Sequence, residues 1–315
     1  MTTNIQDDVL GNGFKSMEIN HPDDYEGKVK SVLIFRPSKQ ESTKAILYVH
    51  GYIDYFFQTE LADHFNEWGF NFYAVDLRKY GRSMMPHQKP NFTRDMKEYF
   101  PDLDAAIAKI KTDGNTETLL MGHSTGGLLT PLYLDAQKDN YISGLLLNSP
   151  FFDLNIPNLL RKILSLPMWL GKKFENLSID FLPQHYPESL HKDYKGEWDF
   201  NTDWKPIKNF PFYFTWMRSI RLAQLKLQSG LDIKVPVLVM HSDQSYKGRK
   251  WSDKVKEQDA VLDVEHMPKY ANKLGNNVSI IEVKGAVHDM VLSKPEVRKT
   301  VYSEMYNWLL KMNLV

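Results

Sequence analysis

Short apolar runs that end at turns recur along the chain and alternate with stretches of helical periodicity. The runs are rich in branched residues and apolar on both faces, which is typical of strands buried in a parallel sheet. Helices are expected between them, at 58–68, 100–111 and 295–310. This alternation predicts an α/β fold with a mostly parallel, doubly wound sheet. The runs are SVLIF (31–35), AILYV (45–49), NFYAV (71–75), TLLM (118–121), GLLLN (144–148), PVLVM (236–240) and VSIIEV (278–283).

The segment 151–231 interrupts this alternation. It has no convincing buried strand, yet it is rich in prolines and large apolar residues, among them Leu159, Trp169, Phe212 and Trp216. We therefore expect a mainly helical cap inserted into a catalytic domain that consists of 1–150 and 232–315. An insertion at this point of such a fold lies over the carboxyl edge of the sheet, where ligands bind.

Composition excludes several classes of protein. Lys plus Arg and Asp plus Glu each number 39, so the chain lacks the basic field of a nucleic-acid-binding protein. The absence of cysteine excludes disulfides and cysteine metal sites. The polar, acidic N-terminus is unlike a signal peptide, and no apolar run reaches the ~18 residues of a membrane span. A cytoplasmic location is the expectation, and the oligomeric state is left open.

The sequence GHSTGG (122–127) follows the run TLLM and precedes a helical stretch, LLTPLYLDA. This is the strand, turn and helix context that a G-x-S-x-G nucleophile motif requires. The glycines permit a sharp turn that raises the Ser124 hydroxyl above the sheet, and the next helix points its N-terminal N–H groups at the reacting atom. Ser124 is therefore the predicted nucleophile; the alternative is a glycine-rich turn with a serine cap.

Two N–H groups are expected to stabilise the oxyanion of a tetrahedral intermediate. One belongs to Thr125, the residue after the nucleophile. The second is expected in the loop after AILYV, where Gly51 allows close approach of the backbone and the Tyr52 N–H is the natural donor. His50 is better explained as a residue that braces this loop than as a base.

His288 is the predicted general base, because it follows a glycine turn at the end of the last strand. The orienting acid should follow PVLVM, where three aspartates compete. We favour Asp259, whose spacing to His288 fits one helix and one strand. Asp243 is the alternative acid, although the chain after it must accommodate an additional insertion, and Asp263 ranks third.

Five segments together resemble the monoacylglycerol lipase, lysophospholipase and serine aminopeptidase-like group of α/β-hydrolases. The resemblance covers 30–150 and 232–313 and is weak in the expected cap. The long stretch between PVLVM and Asp259 departs from the pattern of that group. The segments are HGY (50–52), DLRKYGRS (76–83), GHSTGG (122–127), DAVLDVEHM (259–267) and GAVHD (285–289).

The resemblance implies an α/β-hydrolase fold with an eight-stranded sheet, a mobile cap and no cofactor. It implies Ser124, Asp259 and His288 as the catalytic triad, with Tyr52 and Thr125 as oxyanion donors. In that group, the pattern formed here by Asp76, Gly81 and Ser83 marks a loop and is not catalytic.

These features predict a serine esterase that acts on a small-molecule ester with an apolar acyl group. A C–C hydrolase or acyltransferase would use the same triad, and so would an aminopeptidase of the proline-iminopeptidase type. The aminopeptidase also needs a carboxylate in the cap, for which Glu188 and Glu197 are candidates. A binding module is disfavoured because all three triad positions are filled. No metal is expected, since His241 and His266 lack metal-ligand spacing.

Overall fold

The computed structural model of the chain describes residues 5–137, 141–155, 175–179, 184–248 and 250–315. The strands of the main sheet in this part are β1 (Ile5–Asp7), β2 (Lys15–Asp24), β3 (Gly27–Arg36), β4 (Lys44–Val49), β5 (Asn71–Asp76), β6 (Glu117–His123), β7 (Ile142–Asn148), β10 (Val237–Ser242) and β11 (Val278–Val283). A separate antiparallel pair is formed by β8 (Ser178–Ile179) and β9 (Phe212–Tyr213). The α-helices are α1 (Thr59–Glu67), α2 (Phe100–Thr112), α3 (Gly126–Ala136), α4 (His185–Leu190), α5 (Phe214–Gln228), α6 (His266–Ala271) and α7 (Pro295–Lys311).

The strands of the main sheet lie in the order β1-β2-β3-β5-β4-β6-β7-β10-β11. The strands from β5 to β11 in this order are mutually parallel, and β1 to β3 add an antiparallel edge. All seven apolar runs form strands, although β10 begins one residue after the start of PVLVM, so the predicted α/β-hydrolase fold is confirmed. The described sheet has nine strands rather than eight, because the three-residue β1 pairs with β2 at the edge. Neither β1 nor β2 forms a continuous apolar run, since much of each strand is exposed.

The sheet changes direction at β4. Its neighbour on one side is β5, which follows it in sequence, and its neighbour on the other side is β6. The connections that leave β4 and β6 therefore diverge, and a crevice opens between the carboxyl ends of these two strands. The loop after β4 and the turn after β6 carry the predicted oxyanion donors and nucleophile, so the topology places them side by side.

Helices cover both faces of the sheet. In β4, Ile46 and Tyr48 pack with α1 and α7, whereas Leu47 and Val49 pack with α2, α3 and α6. These four β4 side chains are fully buried, which explains why the strand reads as one apolar run. Among the described residues, no helix is long and apolar enough to span a membrane.

The segment expected to form the cap is described only in part. Leu159 and Trp169 lie outside the described residues, whereas Phe212 and Trp216 lie in β9 and at the start of α5. Helix α5 packs against α3 and contributes Ile220 to the main core. This helix of the inserted segment is therefore packed against the part of the chain that contains the main sheet.

A buried ion pair joins three loops at the carboxyl edge of the sheet. Asp76, at the end of β5, accepts hydrogen bonds from the N–H groups of Phe56 (2.9 Å) and Arg82 (3.0 Å). The Arg82 guanidinium donates to Asp76 (2.9 Å) and to Asp8 (2.8 Å), and all three charged side chains are at least 93% buried. The loop after β4, which contains Phe56, is thus fixed to the loop after β5.

We expect Arg82→Met to lower the free energy of unfolding by about 3–5 kcal/mol, because it leaves Asp76 and Asp8 buried without a cation. Urea unfolding followed by circular dichroism measures the change. Lys234→Met is the control, since the Lys234–Asp232 pair (2.5 Å) is exposed and its loss should leave stability nearly unchanged. Equal effects of the two substitutions would contradict the assigned role of the buried pair.

Candidate active site

Ser124 occupies the sharp turn between β6 and α3. Its φ is +53°, a left-handed conformation that non-glycine residues rarely adopt. The turn is held by neighbours on both sides: the Ser124 N–H donates to the Asn148 carbonyl (3.0 Å), and the Phe151 N–H donates to the Ser124 carbonyl (3.0 Å). The end of β7 therefore fixes the backbone that presents the Ser124 hydroxyl.

Glycines at this turn permit contacts between backbones that a side chain would prevent. A Cβ atom on Gly126 would lie 2.3 Å from the Val49 carbonyl oxygen, and one on Gly122 would lie 2.4 Å from the Gly126 carbonyl oxygen. Real Cβ atoms essentially never come so close to a backbone oxygen. The first turn of α3 thus packs directly against the end of β4.

His288 lies between Ser124 and Asp259. Its Nε2 atom is 2.9 Å from the Ser124 Oγ, and its Nδ1 atom is 2.8 Å from the Asp259 Oδ2. All three side chains are buried, and Asp259 is fully so. A proton on Nδ1, shared with the carboxylate, leaves the Nε2 lone pair directed at the serine hydroxyl, which is the geometry of a general base and its orienting acid.

The long stretch between β10 and Asp259 forms a loop whose two ends are hydrogen-bonded to each other. The Asp259 N–H donates to the Gln244 carbonyl (2.8 Å), and the Tyr246 N–H donates to the Asp259 carbonyl (2.7 Å). These bonds place Asp259 beside the residues that directly follow β10. Its Oδ1 atom accepts from the N–H groups of Val261 and Leu262 (2.8 Å each), which leaves Oδ2 for His288.

The other two aspartates are engaged elsewhere. Asp243 accepts a hydrogen bond from the Gly285 N–H (2.8 Å) at the start of the loop that carries His288. Asp263 accepts a weak bond from the Glu265 N–H (3.4 Å) and faces Lys247 at 3.9 Å. Within the described residues, only Asp259 of the three contacts the His288 ring.

The predicted oxyanion donors flank the Ser124 side chain. Thr125 is the N-cap residue directly before α3, so its N–H is one of the unpaired groups at the helix N-terminus. Tyr52 follows Gly51, whose added Cβ would lie 3.0 Å from the Ser124 Cβ. In the part of the chain that the structure describes, neither N–H donates to a protein acceptor, so both are available to a ligand oxygen.

His50 braces the loop after β4. Its Nδ1 atom is 2.8 Å from the Gly51 carbonyl, and its Nε2 atom accepts from the Leu77 N–H (3.0 Å). Burial lowers the pKa of His50, which favours the neutral ring that this donor and acceptor pair requires. The imidazole therefore acts as a fixed link between two loops.

A cluster of buried charges lies behind the nucleophile. Among the described residues, ligand atoms of Asp54, His123 and Asp289 lie within 4.8 Å of one another, a composition that could hold a metal ion. Both carboxylates already have donors, however. The Lys205 ammonium lies 2.7 Å from Asp54, and the amides of Gln58 (3.0 Å) and Asn148 (2.7 Å) donate to Asp289. We interpret the cluster as an ion-pair network in which Lys205 supplies the cation.

The surrounding charges shift the pKa values of Asp54 and His123. Burial opposes ionisation of Asp54, but Lys205 and His123 outweigh it and lower the pKa of the carboxyl group. Burial likewise disfavours the His123 imidazolium, but Asp289 and Asp54 raise its pKa above the ordinary value. The ionised forms of Asp54 and His123 are therefore stabilised by their charged neighbours, Lys205 for the carboxylate and the two aspartates for the imidazole.

Sequence reasoning missed four residues that surround the site: Asp54, His123, Lys205 and Tyr186. The Tyr186 hydroxyl accepts a hydrogen bond from the Asp289 N–H (2.8 Å), and its ring meets that of His288 edge-on. One signal was present, since Asp54 is a lone charge within the apolar stretch YIDYFF. Nothing in the local sequence marks Tyr186 or Lys205.

Aromatic side chains from the inserted segment meet the oxyanion loop. The Tyr52 ring packs on Trp216 at a centroid distance of 3.9 Å and meets Phe212 edge-on at 5.7 Å. Phe151, bonded through its N–H to Ser124, packs beside Phe212 in a small cluster with Leu154 and Met217. The surroundings of the nucleophile are therefore strongly apolar on this side.

Comparison with known proteins places this geometry in a family. Residues 40–295 match the family described as "Serine aminopeptidase, S33". No curated protein sequence matches the chain significantly.

Solved structures with the same fold share little sequence with the chain. A soluble variant of monoglyceride lipase from Saccharomyces cerevisiae, in complex with a substrate analog, is 21% identical with a TM-score of 0.70 and covers 93% of this chain and 94% of its own. The monoacylglycerol lipase of Paleococcus ferrophilus is 18% identical, with a TM-score of 0.60 and coverages of 94% and 98%. Est1E from Butyrivibrio proteoclasticus, with ferulic acid bound, is 17% identical, with a TM-score of 0.57 and coverages of 91% and 97%.

The family match spans most of the chain, and the similar structures share its fold over 91–94% of the chain. The resemblance expected from the sequence is therefore confirmed. The chain belongs to the serine aminopeptidase family S33 of α/β-hydrolases.

Proposed function

We propose that this hydrolase cleaves carboxylic esters with an apolar acyl group, such as monoacylglycerols or lysophospholipids, with Ser124, His288 and Asp259 as its catalytic triad. The observation that carries the proposal is the pair of short contacts of His288, 2.9 Å to the Ser124 Oγ and 2.8 Å to the Asp259 carboxylate. This arrangement satisfies the requirement for a nucleophile, a base within hydrogen-bond reach and an acid that orients the base.

In the proposed reaction, His288 takes the Ser124 proton through Nε2 as the hydroxyl oxygen attacks the ester carbonyl. Asp259 holds the Nδ1 proton and stabilises the imidazolium that forms. The Tyr52 and Thr125 N–H groups stabilise the oxyanion. His288 then protonates the leaving alcohol and later activates a water molecule, which releases the acid from the acyl-enzyme.

The choice of substrate class rests on the apolar surroundings of the site. Tyr52, Phe151, Phe212 and Trp216 offer hydrocarbon-binding surface beside the nucleophile. We propose that 151–231 acts as a cap over this surface, with 1–150 and 232–315 as the catalytic domain. The two monoglyceride lipases with the same fold are in accord with an ester substrate of this kind.

An aminopeptidase is the second candidate, because the family description names that activity. The two carboxylates considered as anchors for a substrate amine already have cationic partners. Glu188 lies 3.5 Å from Lys195, and Glu197 lies 2.5 Å from Arg298. Because both carboxylates already have cationic partners, an aminopeptidase is disfavoured. We therefore retain the proposal of an ester substrate.

The nucleophile is tested with p-nitrophenyl esters from acetate to palmitate. We expect wild-type enzyme to favour medium or long acyl chains, and Ser124→Ala to reduce kcat by at least about 10⁴-fold, because the covalent step is lost. Proline p-nitroanilide serves as the peptidase substrate in parallel. Wild-type cleavage of the anilide with no cleavage of any ester would reject the esterase in favour of the aminopeptidase.

The acid is tested by Asp259→Asn against Asp243→Asn. We expect Asp259→Asn to lower kcat by about 10³–10⁴-fold, since an amide cannot stabilise the imidazolium and favours the wrong tautomer. Asp243→Asn should change kcat by less than about tenfold, because the Asp243 carboxylate accepts hydrogen bonds from the Gly285 N–H and the Gln244 side-chain amide rather than from His288. The steady-state ester assay gives both values, and the reverse order would assign the acid to Asp243.

A further inference from the structure

The loop that carries the proposed oxyanion donor contains a strained residue. Ile53, directly after Tyr52, has a φ of +50° and is 6% exposed. A β-branched residue in the left-handed region is strongly disfavoured and persists only where the surroundings enforce it. The direction of the Tyr52 N–H depends on this turn, so whatever enforces the turn also sets the oxyanion site.

Contacts between the inserted segment and the two residues that follow Ile53 hold the turn in place. The Lys205 ammonium lies 2.7 Å from the Asp54 carboxylate, and both residues are buried. The Asn201 N–H donates to the Tyr55 hydroxyl (2.7 Å), and the Trp204 ring meets that of Tyr55 edge-on. The residues directly after Ile53 are therefore held by the stretch 201–205.

The charge cluster also connects the loop after β4 to the residues beside the nucleophile and the general base. The second oxygen of Asp54 faces the His123 Nδ1 at 3.5 Å, and that nitrogen lies 3.9 Å from Asp289. His123 directly precedes the nucleophile, and Asp289 directly follows the general base. The loop after β4, the end of β6 and the loop after β11 thus each contribute one ionisable side chain to a single buried cluster.

We propose that Lys205 is a positioning residue for the esterase reaction: its buried ion pair with Asp54 holds the strained turn at Ile53 and so aims the Tyr52 N–H at the oxyanion. This inference rests on the proposed function. The lysine touches neither the substrate nor the triad, and it acts through Asp54. Because an oxyanion forms only in the transition state, the effect falls on kcat rather than on KM.

The test measures kcat and KM for the p-nitrophenyl ester that the wild type prefers, with active sites counted by stoichiometric phosphonylation of Ser124. We expect Lys205→Met to lower kcat per site by about 10- to 100-fold, less than the loss of a whole oxyanion donor, with KM within about threefold of wild type. Lys192→Met is the matched control. Lys192 lies in the same segment but forms an exposed pair with Asp199 (2.6 Å), so its kcat should be unchanged.

Lys205→Met leaves Asp54 as a buried carboxylate without its lysine, which can prevent folding. The double variant Asp54→Asn with Lys205→Met removes both charges and keeps the chain testable. We expect it to fold, as shown by its thermal unfolding transition, and to retain the reduced kcat. A folded double variant with wild-type kcat would overturn the inference.

The strain is tested at Ile53 in the Lys205→Met background or, if that chain does not fold, in the double variant. Glycine adopts a positive φ without cost, whereas alanine removes the same side chain and keeps the strain. We expect Ile53→Gly to recover at least about threefold more kcat than Ile53→Ala. Equal values for the two would overturn the role of the strained turn.

The proposed function and this inference fail in different ways. A wild type that hydrolyses none of the esters would overturn the proposed function and the inference with it. An active wild type, inactivated by Ser124→Ala, together with full kcat in Lys205→Met would overturn the inference alone. A loss of kcat in Lys192→Met equal to that in Lys205→Met would also overturn it, since the effect would then not depend on the buried pair.

Discussion

The contact between the end of β4 and the first turn of α3 is the constraint on which the site depends. Gly126 brings the helix backbone to a distance from the Val49 carbonyl at which no Cβ atom fits. This contact fixes the origin of α3 and hence the direction of the Thr125 N–H. It also places the loop after β4 against Ser124, and the two proposed oxyanion donors lie in that loop and directly after Ser124 in sequence. A side chain at this position would separate the two strand ends and move both proposed oxyanion donors.

Much of the fold and two residues of the proposed triad have local signals in the sequence. The parallel strands are buried on both faces and read as apolar runs, and Ser124 and His288 follow such runs at glycine turns. Asp259 required an argument from spacing, because the pairing of Gln244 and Tyr246 with it is invisible in the sequence. The edge strands β1 and β2 gave little signal, since exposed edge strands do not need to be apolar.

The charge cluster could not be predicted for a different reason. Its members come from the loop after β4, the end of β6, the loop after β11 and the inserted segment, so no window of sequence contains more than one of them. Each residue alone reads as an ordinary polar position. The cluster exists only because the parallel strands end at one edge and the inserted segment returns there. Such sites are determined by topology, which local patterns specify only indirectly.

The pairing of opposite charges explains how this buried cluster can lie so close to Ser124 and His288. Lys205 pairs with Asp54, and the His123 ring faces the Asp54 and Asp289 carboxylates. Burial lowers the pKa of His123, but the two carboxylates raise it above the ordinary value. The potential of a compact ion pair, such as Lys205 with Asp54, falls off faster with distance than that of a single charge. The paired charges can therefore hold three loops in place without competing with Asp259 for stabilisation of the imidazolium. An unpaired charge at the same depth would both destabilise the fold and disturb the base.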